Sequence, residues 1–237
     1  LDARRVGDAV IGPGEAALAH LGVLFLDELP EFNPQVLDAL RQPLEAGETV
    51  IARANHRIAY PSRIQLIAAM NPCRCGHAGA PGHACRQGPS CAERYQARIS
   101  GPMLDRIDLQ IEVPAVSAAD LVLPQASEGS ADVRARVAAA RQIQIARYEG
   151  LGLPRVRTNA ECDGALLEEI AAPEKQGLSL LRDAANALSL SARGYHRTLR
   201  VARTLADLDG ESKVARIHIA EALSYRGETL RRARAAA

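Results

Sequence analysis

Up to Pro114 the apolar residues of this chain come in short unbroken runs or alternate with polar ones, and turn residues separate them; beyond Pro114 they recur at helical spacing in alanine-rich stretches. The first run, Gly22-Val23-Leu24-Phe25-Leu26, stops abruptly at Asp27 and Glu28. A continuous apolar segment bounded by a turn signal predicts a strand buried on both faces, as in the central parallel sheet of an α/β domain. A second run, Ile64-Gln65-Leu66-Ile67-Ala68-Ala69-Met70, ends in Asn71 and a Pro72 stop. Between the two, the spacing predicts a helix over 34–46 and two β-prone segments, 48–53 and 57–60, around Ala54-Asn55-His56. The short Asn-bearing connection marks these segments as a hairpin. Further on, Ser127-Glu128-Gly129-Ser130 reads as a joint, and apolar spacing with Gly and Pro punctuation predicts helices over 131–149, 163–171, 176–190, 194–208 and 215–226. The expected organisation is an α/β domain over 1–114, a linker over 115–130 and a helical domain over 131–237.

Candidate chemistry gathers where the first run ends. Function in parallel sheets lies at the carboxyl edge of the strands. Carboxylates beside a core strand are costly to bury unless they meet a cation or a reacting water. The segment therefore has the form of a Walker B motif, in which Asp27 helps hold Mg²⁺ on a nucleotide and Glu28 deprotonates the water that attacks the γ-phosphate. An acidic strand-to-helix junction, with Glu28 or Glu31 favouring a helix N-terminus, is the alternative. A phosphate loop of the form G-x-x-x-x-G-K-[ST] is missing: the two lysines, Lys175 and Lys213, follow no such glycine pattern. With Leu1 as its first residue, the chain is expected to be a piece of a longer protein whose phosphate loop lies upstream, and to be inactive toward ATP by itself.

Composition narrows the partners. A length of 237 residues at 47% hydrophobic suffices for one or two cores, and no apolar run approaches a membrane span or a signal peptide. A cytoplasmic protein without membrane contact is the expectation. A net charge of +1 argues against wholesale polyanion binding and leaves nucleic acid to local basic patches. Cys73, Cys75, Cys85 and Cys91 crowd into one Gly/Pro-rich stretch as C-x-C-x9-C-x5-C, while Cys162 stands apart. Clustered cysteines in a cytosolic protein are more often metal ligands than disulfides, and four thiolates suit a closed tetrahedral Zn²⁺ site. A reduced, metal-free loop is the alternative. His20, His196 and His218 have no partners at ligand spacing, Tyr148, Tyr195 and Tyr225 suit the anchoring of helices, and Arg226, Arg231, Arg232 and Arg234 read as a basic tail.

Four stretches in order, GVLFLDELPEF, LDALRQPLEAGETVIARANHRIAYPSRIQLIAAMNPC, SGPMLDRIDLQIEVPAV and LSARGYHRTLRVARTLADLDG, resemble the C-terminal half of the Mg-chelatase-like AAA+ ATPases of the ComM/YifB group. The resemblance covers almost the whole chain. It implies a partial AAA+ P-loop NTPase core, a parallel sheet flanked by helices, followed by an all-α lid domain, with ATP and Mg²⁺ as cofactors. The chain departs from the family pattern in lacking the phosphate loop and an N-terminal Lon-protease-like domain. Asn71 matches sensor 1, where an amide orients the lytic water without titrating; an Asn-Pro turn is the alternative. Arg106, in Leu104-Asp105-Arg106-Ile107-Asp108, matches an arginine finger presented to a neighbouring subunit's ATP, where a guanidinium spreads transition-state charge. A surface salt bridge with Asp105 or Asp108 is its alternative. Arg193 falls at the sensor-2 position, with Arg197 and Arg200 as substitutes. Together with Arg203 these step by three or four residues and define one basic helix face, whose ordinary meaning is a solvated stripe. The hairpin resembles the insertion before sensor 1 that in helicase relatives enters the ring's channel, so Arg53, His56 and Arg57 would contact the DNA backbone.

By resemblance, the leading function is a hexameric homo-oligomer that turns ATP hydrolysis into movement on single-stranded or branched DNA, in branch migration of recombination intermediates during natural transformation. Two other readings stay open. One is a magnesium chelatase motor subunit that drives Mg²⁺ insertion into protoporphyrin, and the other is a non-enzymatic DNA-binding or assembly module.

Overall fold

The computed structural model describes residues 4–6, 9–11, 14–53, 56–76, 85, 90–114, 116 and 128–226. They divide into two units between Arg106 and Ile107. The expected linker over 115–130 lies almost wholly outside the described residues.

The first unit begins with an antiparallel pair, β1 (Arg4–Val6) and β2 (Ala9–Ile11), followed by the short helix α1 (Glu15–Leu18) and the strand β3 (Val23–Leu26). After a 3-10 turn over Leu29–Glu31 come α2 (Pro34–Ala39) and α3 (Arg41–Ala46). The single helix expected over 34–46 is thus divided at Leu40. Pro43 explains the break: it has no N–H to give the carbonyl of residue 39, and its ring crowds that carbonyl, so it is tolerated only in the first turn of a new helix. Asn33 starts α2 by accepting the Gln35 N–H at 2.9 Å, with Pro34 at the first helical position. Gly47 ends α3 at φ 67°, and a Cβ there would lie 2.8 Å from Arg63 Cγ, so the turn into the hairpin requires glycine.

The hairpin is present as expected: β4 (Glu48–Arg53) pairs antiparallel with β5 (His56–Pro61), from Glu48 opposite Pro61 to Arg53 opposite His56. Next is β6 (Gln65–Ala68), which pairs parallel with β3 in the register Val23 to Gln65, Phe25 to Ile67 and Leu26 to Ala68. The helices α4 (Ser90–Gln96) and α5 (Gly101–Leu104) complete this unit. Burial of β3 on both faces is not observed. Val23 and Phe25 are 53% and 58% exposed, and Ile67, the cross-strand partner of Phe25, is 44% exposed. Among the described residues, β6 is the only strand paired with β3, and the Val23–Phe25 face has no layer packed over it.

The second unit is helical, as the spacing predicts: α6 (Ser130–Gly150), α7 (Gly164–Ile170), α8 (Lys175–Ala187), α9 (Ala192–Leu208) and α10 (Arg216–Ser224), with a 3-10 turn over Asn159–Glu161. Its core joins Tyr148, Leu167, Leu181, Leu199, Ala202, Ile219 and neighbouring apolar residues. Ser191 caps α9 by accepting the Gly194 N–H at 3.0 Å. The basic face of α9 is not a solvated stripe. Arg197 and Arg203 are buried, and Arg203 meets Asp207 one turn on, with Nε donating at 3.1 Å. Asp207 also accepts from Arg147 of α6 and, at 2.9 Å, from Asn159 Nδ2, while Tyr148 Oη donates to Asn159 Oδ1 at 2.6 Å. Two guanidiniums and an amide therefore converge on one fully buried carboxylate, and the phenol of Tyr148 holds the amide in place. Arg226, read from sequence as part of a basic tail, is also buried; Arg231, Arg232 and Arg234 lie outside the described residues.

Burial alone would push the Asp207 carboxyl up, but hydrogen bonds from Arg147 and Asn159 and the charges of Arg203 and Arg147 outweigh it and hold the carboxyl below its ordinary value. A carboxyl depressed in the folded state contributes stability that is complete above its unfolded pKa, near ~3.9, and is lost as pH falls through the folded value. Asp207→Ala is expected to cost about 3–5 kcal/mol, because it strands the buried guanidinium of Arg203 and removes the partner of the half-buried Arg147. Urea unfolding followed by circular dichroism at neutral pH measures that loss. Repeating it below about pH 4 should show the wild type losing stability more steeply than the variant.

Candidate active site

Asp27 and Glu28 sit at the carboxyl end of β3, and both are exposed. Parallel pairing carries the end of β6 to the same edge: the Ala69 N–H donates to Leu26 O at 2.9 Å, and the Leu29 N–H returns to Ala69 O at 3.0 Å. Asn71, also exposed, lies two residues beyond Ala69 on this edge. Glu28 has left-handed backbone angles, φ 51° and ψ 46°, which cost a non-glycine residue of order 1–3 kcal/mol. Three hydrogen bonds hold it there: its N–H donates to Asp27 Oδ1 at 2.8 Å, its carbonyl accepts from the Glu31 N–H at 2.7 Å, and the next residue is tied to Ala69. Strain concentrated at one carboxylate is an arrangement found at reacting centres. Beside it, Glu31 receives Arg98 Nη1 at 3.0 Å and lies 4.0 Å from Arg74.

Arg106 follows α5 and is buried rather than presented to solvent. Its Nη2 pairs with Glu45 Oε1 of α3 at 2.7 Å, and its Nη1 donates to Pro102 O at 2.6 Å. Asp108, one of the two partners the sequence suggests for it, instead takes Arg197 at 2.6 Å in the helical unit. The Nε of Arg106 has no acceptor among the described residues. Sequence reading misses Glu45 because nothing in local spacing links α3 to the segment after α5.

The three sensor-2 candidates differ in environment. Arg197 is buried in its pair with Asp108, and Arg200 Nε donates to the Cys162 carbonyl at 2.7 Å. Arg193 is exposed in the first turn of α9, where Ser191, Ala192, Arg193, His196 and Arg200 line an open depression of about 470 Å³. In the hairpin, Arg53 and His56 form the last pair of the ladder and Arg57 is exposed. The turn residues Ala54 and Asn55, and the side chains of Arg53 and His56, lie outside the described residues. The cluster Cys73, Cys75, Cys85 and Cys91 brings its sulfurs within 4.8 Å of one another. Three histidines have structural partners: His20 Nδ1 accepts the Arg63 N–H, His218 bridges the Ala215 N–H and Asp209, and His196 lies 3.5 Å from Glu168.

Known proteins share this arrangement of sequence. A family profile described as "Magnesium chelatase, subunit ChlI" matches residues 6–121, and one described as "Magnesium chelatase, subunit ChlI C-terminal" matches residues 127–226. The chain is 46% identical over 228 residues to "Competence protein ComM" of Haemophilus influenzae, covering 93% of this chain and 42% of that protein. It is 44% identical over 223 residues to "Uncharacterized protein YifB" of Escherichia coli, with the same coverage of 93% and 42%. The chain belongs to the Mg-chelatase-like family, as a ComM/YifB-type member. A "Magnesium-chelatase 38 kDa subunit" of Cereibacter sphaeroides is more distant, at 26% identity over 230 residues, 93% of this chain and 59% of that protein. The chain spans less than half the length of its ComM and YifB relatives.

Within this Mg-chelatase-like chain the first family match takes in Asp27, Glu28, Asn71 and Arg106, and the second takes in Arg193. Arg106 is fastened inside its own unit by one carboxylate, so Glu45→Ala leaves a buried guanidinium short of its anion. The expected cost is about 1.5–3 kcal/mol in the stability of the first unit, the range for a hydrogen bond to a charged group. Denaturant unfolding of the full-length protein checks it, and a loss below 0.5 kcal/mol (roughly the ordinary surface-substitution range) would show that Arg106 does not depend on Glu45.

Proposed function

We propose that the full-length protein is an AAA+ motor that hydrolyses ATP with Mg²⁺, works as a hexameric ring in the cytoplasm and moves on DNA, in branch migration during natural transformation. The observation that carries the ATPase reading is the position of Asp27 and a strained Glu28 at the carboxyl end of β3, on the same edge as Asn71. Likeness to a protein named for competence supports the DNA substrate. Asp27 suits Mg²⁺, which takes one or two carboxylates and keeps several waters. The phosphate loop with its lysine is not among residues 1–237.

When bound, Mg²⁺–ATP supplies the phosphoryl group and a charge-neutralising cation. Glu28 accepts the proton of the attacking water, and Asn71 orients that water through its amide. Arg106 would serve the neighbouring subunit after leaving Glu45, and Arg193 would take the sensor-2 role. Arg53, His56 and Arg57 supply sequence-independent phosphate contacts at the hairpin end. A magnesium chelatase-type motor is the second reading, favoured by the family descriptions and by the chelatase relative.

The deciding experiment is the ATPase rate of the full-length protein with and without branched DNA, beside its Glu28→Gln variant. The variant is expected to bind ATP and to turn over at least ~100-fold more slowly, the usual minimum for a lost general base. DNA stimulation in the wild type supports the branch-migrating motor. A Glu28-dependent rate indifferent to DNA moves the assignment to the chelatase-type motor, and no turnover at all moves it to a non-enzymatic module.

A further inference from the structure

We propose that Cys73, Cys75, Cys85 and Cys91 bind one structural Zn²⁺ ion, which clamps the segment following Asn71 onto helix α4. The four sulfurs lie within 4.8 Å of one another, with Cys73 to Cys75 and Cys75 to Cys85 both at 3.2 Å. An S–S bond is about 2.05 Å long, so these are clustered thiols and not disulfides. Zn–S bonds of about 2.3 Å make a tetrahedron with edges of about 3.8 Å, and the observed separations bracket that value within about 1 Å.

Apolar packing does not account for the cluster. Cys73 and Cys91 are buried, but Cys75 is exposed and Cys85 only half-buried, so two of the four thiols gather where burial gives them little. Local backbone geometry favours the convergence. The Gly76 N–H donates to the Cys73 carbonyl at 2.9 Å and Gly76 takes φ 76°, which closes a tight turn around Cys73 and Cys75 and suits a C-x-C pair to one ion. Binding replaces four thiol protons, released to solvent, with four metal–sulfur bonds, and four sulfurs close the shell against catalysis.

Position gives the site its role. Cys73 stands two residues after Asn71, and Cys91 lies in the first turn of α4. Two other fastenings already join α4 to this edge: Gln96 Nε2 donates to the Pro72 carbonyl at 3.1 Å, and Arg98, just past the helix, pairs with Glu31. The metal adds a third and holds both ends of the intervening stretch. This inference goes beyond the motor reading, since metal content is read without nucleotide or DNA.

The test is elemental analysis of the full-length protein, purified under reducing conditions without a metal-affinity tag and then reconstituted with ZnCl₂ and desalted. About one zinc per chain is expected. Cys75→Ser and Cys85→Ser, at sites that are not fully buried, should each lower zinc at least tenfold, while Cys162→Ala in the helical unit leaves it unchanged. In the wild type, titration with a mercurial should release one zinc as four thiols react, which keeps the test valid if a variant fails to fold. Zinc below a tenth of the chain concentration after reconstitution, full zinc in Cys75→Ser and Cys85→Ser, or iron in its place would each overturn the assignment.

Discussion

The parallel pairing of β3 with β6 is the constraint on which the candidate active site rests. Parallel strands cannot be joined by a tight turn, so the chain must travel from the carboxyl end of one to the amino end of the other. Here that crossover carries α2, α3 and the β4–β5 hairpin. The pairing delivers two polar ends, Asp27-Glu28 and Asn71, to one edge, and the exchange of hydrogen bonds between Leu26, Leu29 and Ala69 fixes their register. A slip of one residue would exchange the faces of Leu24 and Phe25 and move Glu28 away from the bonds that hold its backbone left-handed.

What could be read from the amino acids alone is what local pattern encodes. The apolar runs, the Asn-bearing hairpin and the five helices among the described residues beyond 128 have periodicities or punctuation that survive without tertiary context. The break in the 34–46 helix is also encoded locally, since Pro43 excludes continuity. Expectations failed where a partner distant in the chain decides the outcome. Arg106 meets Glu45, and Arg147 meets Asp207, across separations that no window of a helix reveals. The Arg203–Asp207 pair at four-residue spacing was the one local clue that the α9 stripe was internal.

Both units place arginine where a smaller or softer cation would do less. At Asp207 two planar guanidiniums reach one carboxylate, each with donors left over for carbonyls: Arg203 also gives Nη1 to Ser212 O at 2.8 Å and Nη2 to Glu211 O at 2.6 Å. That fork shapes the end of α9 as well as neutralising the acid. Around Arg106 the same geometry serves Glu45 and the Pro102 carbonyl. Engagement of Arg106 with an outside phosphate would therefore be an exchange of anions, driven only by the difference between the two contacts.

The uncovered face of Val23, Phe25 and Ile67 has a thermodynamic consequence. Any surface that sealed those side chains from water would bind the folded form alone and add its free energy to the stability of the first unit by mass action. A partner that covered this face would make the apparent melting point of the sheet that carries the carboxylates depend on the partner's concentration.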